Sequence, residues 1–222
     1  MFAVLTDASR RALDGLRDFG TLQWYAVPLL ALLFYIYATE IQKARRSGDW
    51  DAIVAGVTLF GMDFVNESWN GWVMVLSDRS AFWTAPGPTA LRTMVGWNLE
   101  IMFMFAISGL IYYHSLSDDP EKRPLARRRE AWLIAAAYSA FCVFIEIFLN
   151  KGGLLIWEYS FWNRSFGGVW LIFLIGYFHF YVGVILVLSL RSVRARLFAV
   201  AGIYTVAIAL NVIGMGVMGW RY

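Results

Sequence analysis

The sequence has few of the residues that soluble domains and metal centres need. Only 16% of its 222 residues are charged, whereas 59% are hydrophobic and 18% aromatic. A water-soluble domain of this length would not bury so much apolar surface. Its one cysteine, Cys142, excludes an intrachain disulfide and a thiolate zinc site. Its two histidines, His114 and His179, exclude a multi-histidine iron or copper centre. The composition therefore predicts a membrane protein.

The excess of positive charge does not indicate nucleic-acid binding. The formal net charge is +3 and the pI is about 9.1. In a multispanning protein, basic residues gather in the cytoplasmic loops for topological reasons. The expected partners are the lipid bilayer and a hydrophobic lipid, with no nucleic acid, and the sequence does not indicate an oligomeric state.

Apolar segments recur along most of the chain at the length needed to cross a bilayer, which is about 20 residues for an α-helix. None of them alternates with period two, as barrel strands do. The predicted fold class is an all-α polytopic transmembrane bundle, with residues 22–222 as one domain and residues 1–21 as an amphipathic helix on the membrane surface. The six predicted spans are 22–39, 52–76, 94–116, 131–150, 166–190 and 197–220.

The loops differ in charge and in aromatic content. Lys and Arg are more numerous in the loops after the first, third and fifth spans than on the opposite side, and the loop after the third span contains Lys122 and Arg123. The positive-inside rule then places these loops in the cytoplasm and both termini outside. Two aromatic loops on the outer side, residues 77–93 and 151–165, are predicted either to anchor at the interface or to form a lid. We expect a multi-pass protein of a bacterial inner membrane or the endoplasmic reticulum.

Four acidic residues lie inside the predicted spans: Asp63, Glu67, Glu100 and Glu146. Each costs about 2.5–3.5 kcal/mol at a helix centre, so such groups usually face the bundle interior and indicate a functional site. Asp63, Glu67 and Asn70 are separated by four and three residues, which places them on one helix face. The pattern predicts that polar side chains of several helices meet in one cavity.

The central parts of the spans contain no Lys or Arg to neutralise these acids. Protonated carboxyls, a bound metal or a cationic ligand would each make the cluster tolerable. A di-iron bundle is not expected, because neither histidine lies three residues after a Glu. A magnesium–diphosphate site would need aspartate-rich and basic clusters that are not found here. No metal or other cofactor is predicted.

The candidate site residues fall into two groups. Glu67, Asp63, Glu100 and Glu146 are the candidate catalytic acids. Buried Asn and His residues also commonly hold helices together, and tryptophans more often serve packing, so the second group has a structural alternative. The candidate substrate-binding residues are Asn70, Trp69, Trp97, Trp170, Tyr177, His179 and Asn211.

The run from Asp63 to Trp69 resembles a stretch in the emopamil-binding sterol isomerases (EXPERA family), where His is followed four residues later by Glu and two further on by Trp. The resemblance continues at Glu100, at Glu146 shortly before a Phe-Leu pair, and at Trp170. It covers the second to fifth spans, and it implies that Glu67 is a catalytic acid/base.

The chain also departs from that family. Asp63 stands where the family has its histidine, Tyr177 stands where an asparagine is expected, and a sixth span follows the usual five. Integral-membrane terpene cyclases are similar too, and their essential helix-two glutamate would again be Glu67. The nearest polar counterpart of their late-helix aspartate is Asn211.

The leading hypothesis is an integral-membrane isomerase or cyclase that acts on an isoprenoid or sterol-like lipid through proton transfer and a carbocation. The alternatives are a non-catalytic lipid-binding or membrane-complex subunit and a proton-coupled transporter. Inverted repeats, which are typical of many transporters, are not found in the sequence.

Overall fold

The computed structural model of the protein describes residues 5–117 and 124–222, which are mainly helical. Two segments are π-helical. The first, Ile172–Phe178, joins the helix Phe166–Leu171 to the helix His179–Leu188, and the second, Val212–Val217, extends the helix Val193–Asn211. Short 3-10 turns lie at Phe19–Thr21 and Leu125–Arg127. The helices are α1 (Asp7–Leu13), α2 (Ala26–Ser47), α3 (Asp51–Ser77), α4 (Leu99–His114), α5 (Arg129–Lys151), α6 (Phe166–Leu171), α7 (His179–Leu188) and α8 (Val193–Asn211). The prediction of a helical fold is confirmed.

Within the described ranges, three helical segments are both long and apolar enough to cross a membrane: Arg129–Lys151, Phe166–Leu188 and Val193–Val217. The helix α4 is apolar but has 16 residues. The helices α2 and α3 are longer, but α2 becomes charged from Glu40 onward, and Asp63 and Glu67 interrupt the apolar stretch of α3. Six spans therefore remain a prediction.

The third predicted span starts later than expected. Residues Arg92–Met94 and Trp97–Asn98 form the antiparallel strands β2 and β3 instead of helix. The helix α4 begins at Leu99, where the side chain of Asn98 accepts a hydrogen bond from the Ile101 amide and caps the first turn. The predicted start at residue 94 was wrong, because the apolar run continues through a hairpin that composition alone does not distinguish from helix.

The N-terminal segment packs on the loops at one end of the bundle. The Thr6 amide donates to the Arg79 carbonyl at 3.0 Å, and the Arg17 amide donates to the Arg92 carbonyl at 2.8 Å. The buried guanidinium of Arg92 in turn donates to the carbonyls of Asp14 and Gly87. The predicted helix over residues 1–21 was too long, because within residues 5–21 the α-helix ends at Leu13, where Asp14 adopts an extended conformation, and a 3-10 turn follows at Phe19–Thr21. Residues 1–4 lie outside the described residues, as do Lys122 and Arg123 of the topology argument.

The two aromatic loops predicted to lie on one side of the bundle contact each other. The strand β1 (Trp83–Thr84), in the α3–α4 loop, pairs antiparallel with β4 (Ile156–Trp157), in the α5–α6 loop. Trp83 lies opposite Trp157 in this register. We call this pair of loops, residues 78–98 and 152–165, the cap.

The helix α3 lies at the centre of the bundle and packs against α4, α7 and α8. Close approach of α3 and α4 depends on Gly109, where an added Cβ would come within 2.3 Å of the Ala55 carbonyl oxygen. By contrast, α5 exposes large apolar side chains at Leu133, Phe141 and Phe148. Such a surface suits lipid rather than water.

Candidate functional site

The polar face of α3 is buried in the bundle. Asp63, Asn66, Glu67 and Asn70 are all 4% exposed or less. Their spacing of three and four residues places them along one side of the helix, as the sequence predicts. The acids of α3 therefore face protein rather than lipid.

Each of these two carboxyl groups accepts a hydrogen bond from a tryptophan of the cap. The indole Nε1 of Trp97 donates to Asp63 Oδ2 at 2.7 Å. The indole Nε1 of Trp83 donates to Glu67 Oε1, also at 2.7 Å. These bonds fix the orientation of both carboxyls, and they satisfy one oxygen of each.

Asn70 attaches the cap to α3. Its Nδ2 donates to the Trp83 carbonyl at 2.8 Å, and its Oδ1 accepts from the amides of Phe82 at 2.9 Å and Trp83 at 3.3 Å. Trp83 also stacks on Trp162, with ring centroids 5.7 Å apart. The indole that bonds to Glu67 is thus held by its own backbone and by a neighbouring ring.

The third acid comes from α5. Glu146 is 8% exposed, lies next to the Tyr177 side chain and is close enough to Glu67 to interact electrostatically. Tyr177 belongs to the π-helical segment Ile172–Phe178. Wide turns of this kind occur frequently at functional sites.

Asp63, Glu67 and Glu146 line one cavity. The cavity volume free of protein atoms is about 480 Å³, and part of it is open to the outside. Within it, the volume that the centre of a water-sized sphere can occupy is about 50 Å³. That room holds a few water molecules. Among the described residues that line the cavity, none is Lys or Arg. The lining comprises Asp63, Asn66, Glu67, Trp83, Gly96, Ile101, Met104, Phe105, Glu146, Leu149, Leu155, Trp162, Gly176 and Tyr177.

Some polar atoms of the lining have no hydrogen-bond partner in the described parts of the chain. They include Glu67 Oε2, Glu146 Oε2 and the indole Nε1 of Trp162. Leaving such an atom unpaired costs about 1–3 kcal/mol, so these atoms are available to a ligand. A metal is less suited to the site, since no group of three or more His, Cys, Asp or Glu residues in ranges 5–117 and 124–222 is arranged to hold one.

Glu100 lies outside this cavity. Its carboxylate accepts hydrogen bonds from the hydroxyls of Tyr25 at 2.7 Å and Thr89 at 2.5 Å, and from the Ala90 amide at 2.8 Å. The structure therefore does not bring Glu100 together with the other three acids. Its contacts connect the start of α2, the cap and the start of α4.

The predicted substrate-binding residues are distributed over several places. Of these, Tyr177 lines the cavity. Trp97 donates to the Asp63 carboxyl group, and Asn70 attaches the cap to α3, as described above. Trp69 donates to Asn66 Oδ1 at 2.6 Å and packs edge-on against Trp83.

The remaining three do not line the cavity. Asn211 donates to Ser68 Oγ at 2.6 Å and so connects α8 to α3. Trp170 is 48% exposed, and His179 packs on the Phe180 ring at 4.3 Å. The contacts of Asn211 match the helix-packing alternative.

Sequence reasoning missed the cap residues as parts of the site. Trp83 and Trp162 were predicted only as members of aromatic loops. Gly96 was not singled out, although a Cβ there would lie 2.6 Å from Glu67 Oε2. The signal for the tryptophans was the aromatic content of both loops, together with the prediction that they lie on the same side of the bundle.

The fold and the buried acids define a helical membrane protein with a carboxyl-lined cavity. The chain belongs to an uncharacterized membrane protein family, which matches residues 6–216. A relative in Archaeoglobus fulgidus, described as an uncharacterized protein, is 36% identical over 215 residues, which cover 97% of this chain and 99% of the relative. No solved structure matches the chain.

Proposed function

We propose that this protein is a membrane enzyme that moves protons on an isoprenoid or sterol-like lipid, as an isomerase or a cyclase. The observation that carries the proposal is the cavity in which Asp63, Glu67 and Glu146 lie together beneath aromatic rings. A carboxylic acid positioned beside a double bond can protonate it, and a carboxylate can remove a proton from the resulting carbocation. Carboxylates and ring faces both stabilise the positive charge between these steps.

Glu67 is the proton donor in this proposal. Its Oε1 is fixed by Trp83, whereas its Oε2 has no partner in the described part of the chain and is free to reach a reacting carbon. Asp63, held by Trp97, lies close enough to interact electrostatically with Glu67. Its role is to tune the proton affinity of Glu67.

Glu146 accepts the proton that leaves the carbocation. In an isomerisation Glu67 loses one proton and Glu146 gains one, so the double bond moves with no net uptake of protons, and exchange between the two acids resets the site. The Tyr177 hydroxyl beside Glu146 is the polar group best situated to relay that exchange. The small size of the cavity implies that only the reacting end of the lipid enters it.

The resemblance to emopamil-binding sterol isomerases and to membrane terpene cyclases supports the assignment of Glu67. It also includes Glu100, which the structure places in a separate hydrogen-bonded cluster. The proposal therefore assigns the chemistry to the three acids of the cavity and leaves Glu100 in a stabilising role.

The test compares wild type with Glu67→Gln and with Glu40→Gln, a control acid that bonds to His114 and Lys43 away from the cavity. Lipids that co-purify with the detergent-solubilised proteins are identified by mass spectrometry, after incubation in D2O. We expect deuterium in an isoprenoid or sterol lipid from wild type and from Glu40→Gln, and none with Glu67→Gln.

Equal deuterium incorporation in all three proteins would contradict the proposal, as would the recovery of bulk phospholipid alone. If Glu67→Gln lowers only stability or the binding of a partner, the lipid-binding or membrane-complex subunit becomes the better interpretation. Transport that depends on a pH gradient would instead support the proton-coupled transporter.

A further inference from the structure

The unpartnered atoms of the cavity include both a hydrogen-bond acceptor and a donor besides the acid that supplies the proton. Glu146 Oε2 accepts, the Trp162 indole N–H can only donate, and Glu67 Oε2 carries the proton in the proposed chemistry. All three residues line the same cavity, and their exposed fractions are 3%, 8% and 3%. A ligand that satisfies this set must donate one hydrogen bond and accept another within a small space.

Most functional groups of lipids meet only half of this requirement. A ketone or ether oxygen accepts but does not donate, and an ammonium group donates but does not accept. A phosphate would bring negative charge next to three carboxyl groups without a basic residue in the lining to offset it. A hydroxyl group donates once and accepts twice, and it is small enough for the room available.

We propose that the cavity binds the hydroxyl group of a lipid alcohol. The hydroxyl donates to Glu146 Oε2 and accepts from Trp162 Nε1, while Glu67 Oε2 faces the adjoining carbon atoms. The inference rests on the proposed function, since it names the substrate class of the same site. Because hydroxyl and reacting double bond share one small cavity, the substrate is an allylic or homoallylic lipid alcohol.

The probes are geranylgeraniol, its methyl ether and the hydrocarbon with hydrogen in place of the hydroxyl. The dissociation constant of each is measured by displacement of tritiated geranylgeraniol from the full chain in detergent. We expect wild type to bind the alcohol at least about tenfold more tightly than the hydrocarbon, which is the effect of one hydrogen bond to a charged group. The ether should bind more weakly than the alcohol and more tightly than the hydrocarbon, because its oxygen can accept from Trp162 but cannot donate to Glu146.

Two variants remove one side of the interaction each. Trp162→Phe keeps a ring but lacks the N–H, and Glu146→Leu keeps a side chain of similar size but lacks both carboxyl oxygens. In either variant the preference for alcohol over hydrocarbon, measured as the ratio of their dissociation constants, should fall by about tenfold or disappear. Trp24→Phe, at a position 79% exposed, is the matched control and should keep the preference.

Equal binding of alcohol and hydrocarbon to wild type would overturn the inference and would indicate that water occupies the polar end of the cavity. A preference that persists in both Trp162→Phe and Glu146→Leu would overturn it as well. The same measurement in Glu67→Gln separates the two proposals. If the preference for alcohol remains there but wild type performs no proton exchange, hydroxyl recognition is supported and the proposed chemistry is not.

Discussion

Replacement of Asn70 by Ala should detach the cap from α3. The Asn70 side chain is fully buried and makes three hydrogen bonds to the backbone of Phe82 and Trp83. Its loss leaves two N–H groups and one carbonyl unpaired, at about 1 kcal/mol each or somewhat more, so the free energy of unfolding should fall by about 2–4 kcal/mol. At roughly 2–4 °C per kcal/mol for a chain of this size, the melting temperature should fall by about 4–16 °C.

The assay is thermal unfolding of the detergent-solubilised protein, with Asn150→Ala as the control. Asn150 also bonds to a loop carbonyl, that of Leu155, but through one hydrogen bond at 3.0 Å. Its replacement should lower the melting temperature by only about 2–4 °C. If both variants melt at the same temperature, Asn70 does not hold the cap, and the positioning of Trp83 against Glu67 must have another origin.

Three further variants test other parts of the structure. Gly96→Ala should abolish proton exchange with the bound lipid, because the new Cβ would lie 2.6 Å from Glu67 Oε2 and displace it; unchanged deuterium incorporation would refute this. Glu100→Ala should lower the free energy of unfolding by about 2–4 kcal/mol, since three donors lose a charged acceptor; a melting curve identical to wild type would contradict it. Arg196→Met should lower the free energy of unfolding by about 1.5–3 kcal/mol, because it removes a charged hydrogen-bond partner of buried Asp51. No further loss on adding the second change Asp51→Asn, measured in the same unfolding assay, would confirm that the Arg196–Asp51 ion pair is the source of the effect.

The periodicity of the helices made part of the site predictable. Asp63, Glu67 and Asn70 share a face because α3 runs without interruption from Asp51 to Ser77. Glu146 was predicted from energetics alone. A charged side chain inside the membrane is costly, so it is expected to face protein rather than lipid. Local geometry and solvation therefore identified the three acids that line the cavity, but they did not separate these from Glu100, which lies outside it.

The positions of Trp170 and Tyr177 depended on a feature that the sequence does not reveal. Residues seven apart on an α-helix lie on nearly the same face. The π-helical segment Ile172–Phe178 has wider turns, so Tyr177 is buried at the cavity while Trp170 is half exposed. A π-helix arises from packing with the neighbouring helices, and apolar composition alone does not predict it.

The cap was the other part that the sequence left open. Trp83 reaches Glu67 from a loop that Asn70 holds on α3 and that pairs with a second loop through β1 and β4, far apart in the chain. Glu100 is turned elsewhere because α4 starts at Leu99 and its first turn faces Tyr25 and Thr89. Tertiary pairings and helix starts of this kind depend on contacts that local patterns do not determine.

The pairing of β1 with β4 also sets an order for biosynthesis. The strand β1 emerges from the ribosome before α4 and α5, whereas β4 follows both helices. Until α5 has been inserted, Trp83 lacks its strand partner and the cavity lacks the wall that carries Glu146. During that interval Asp63 and Glu67 must be accommodated in an unfinished bundle. An insertion chaperone that shields polar helix faces would therefore be most needed between the synthesis of α3 and that of β4.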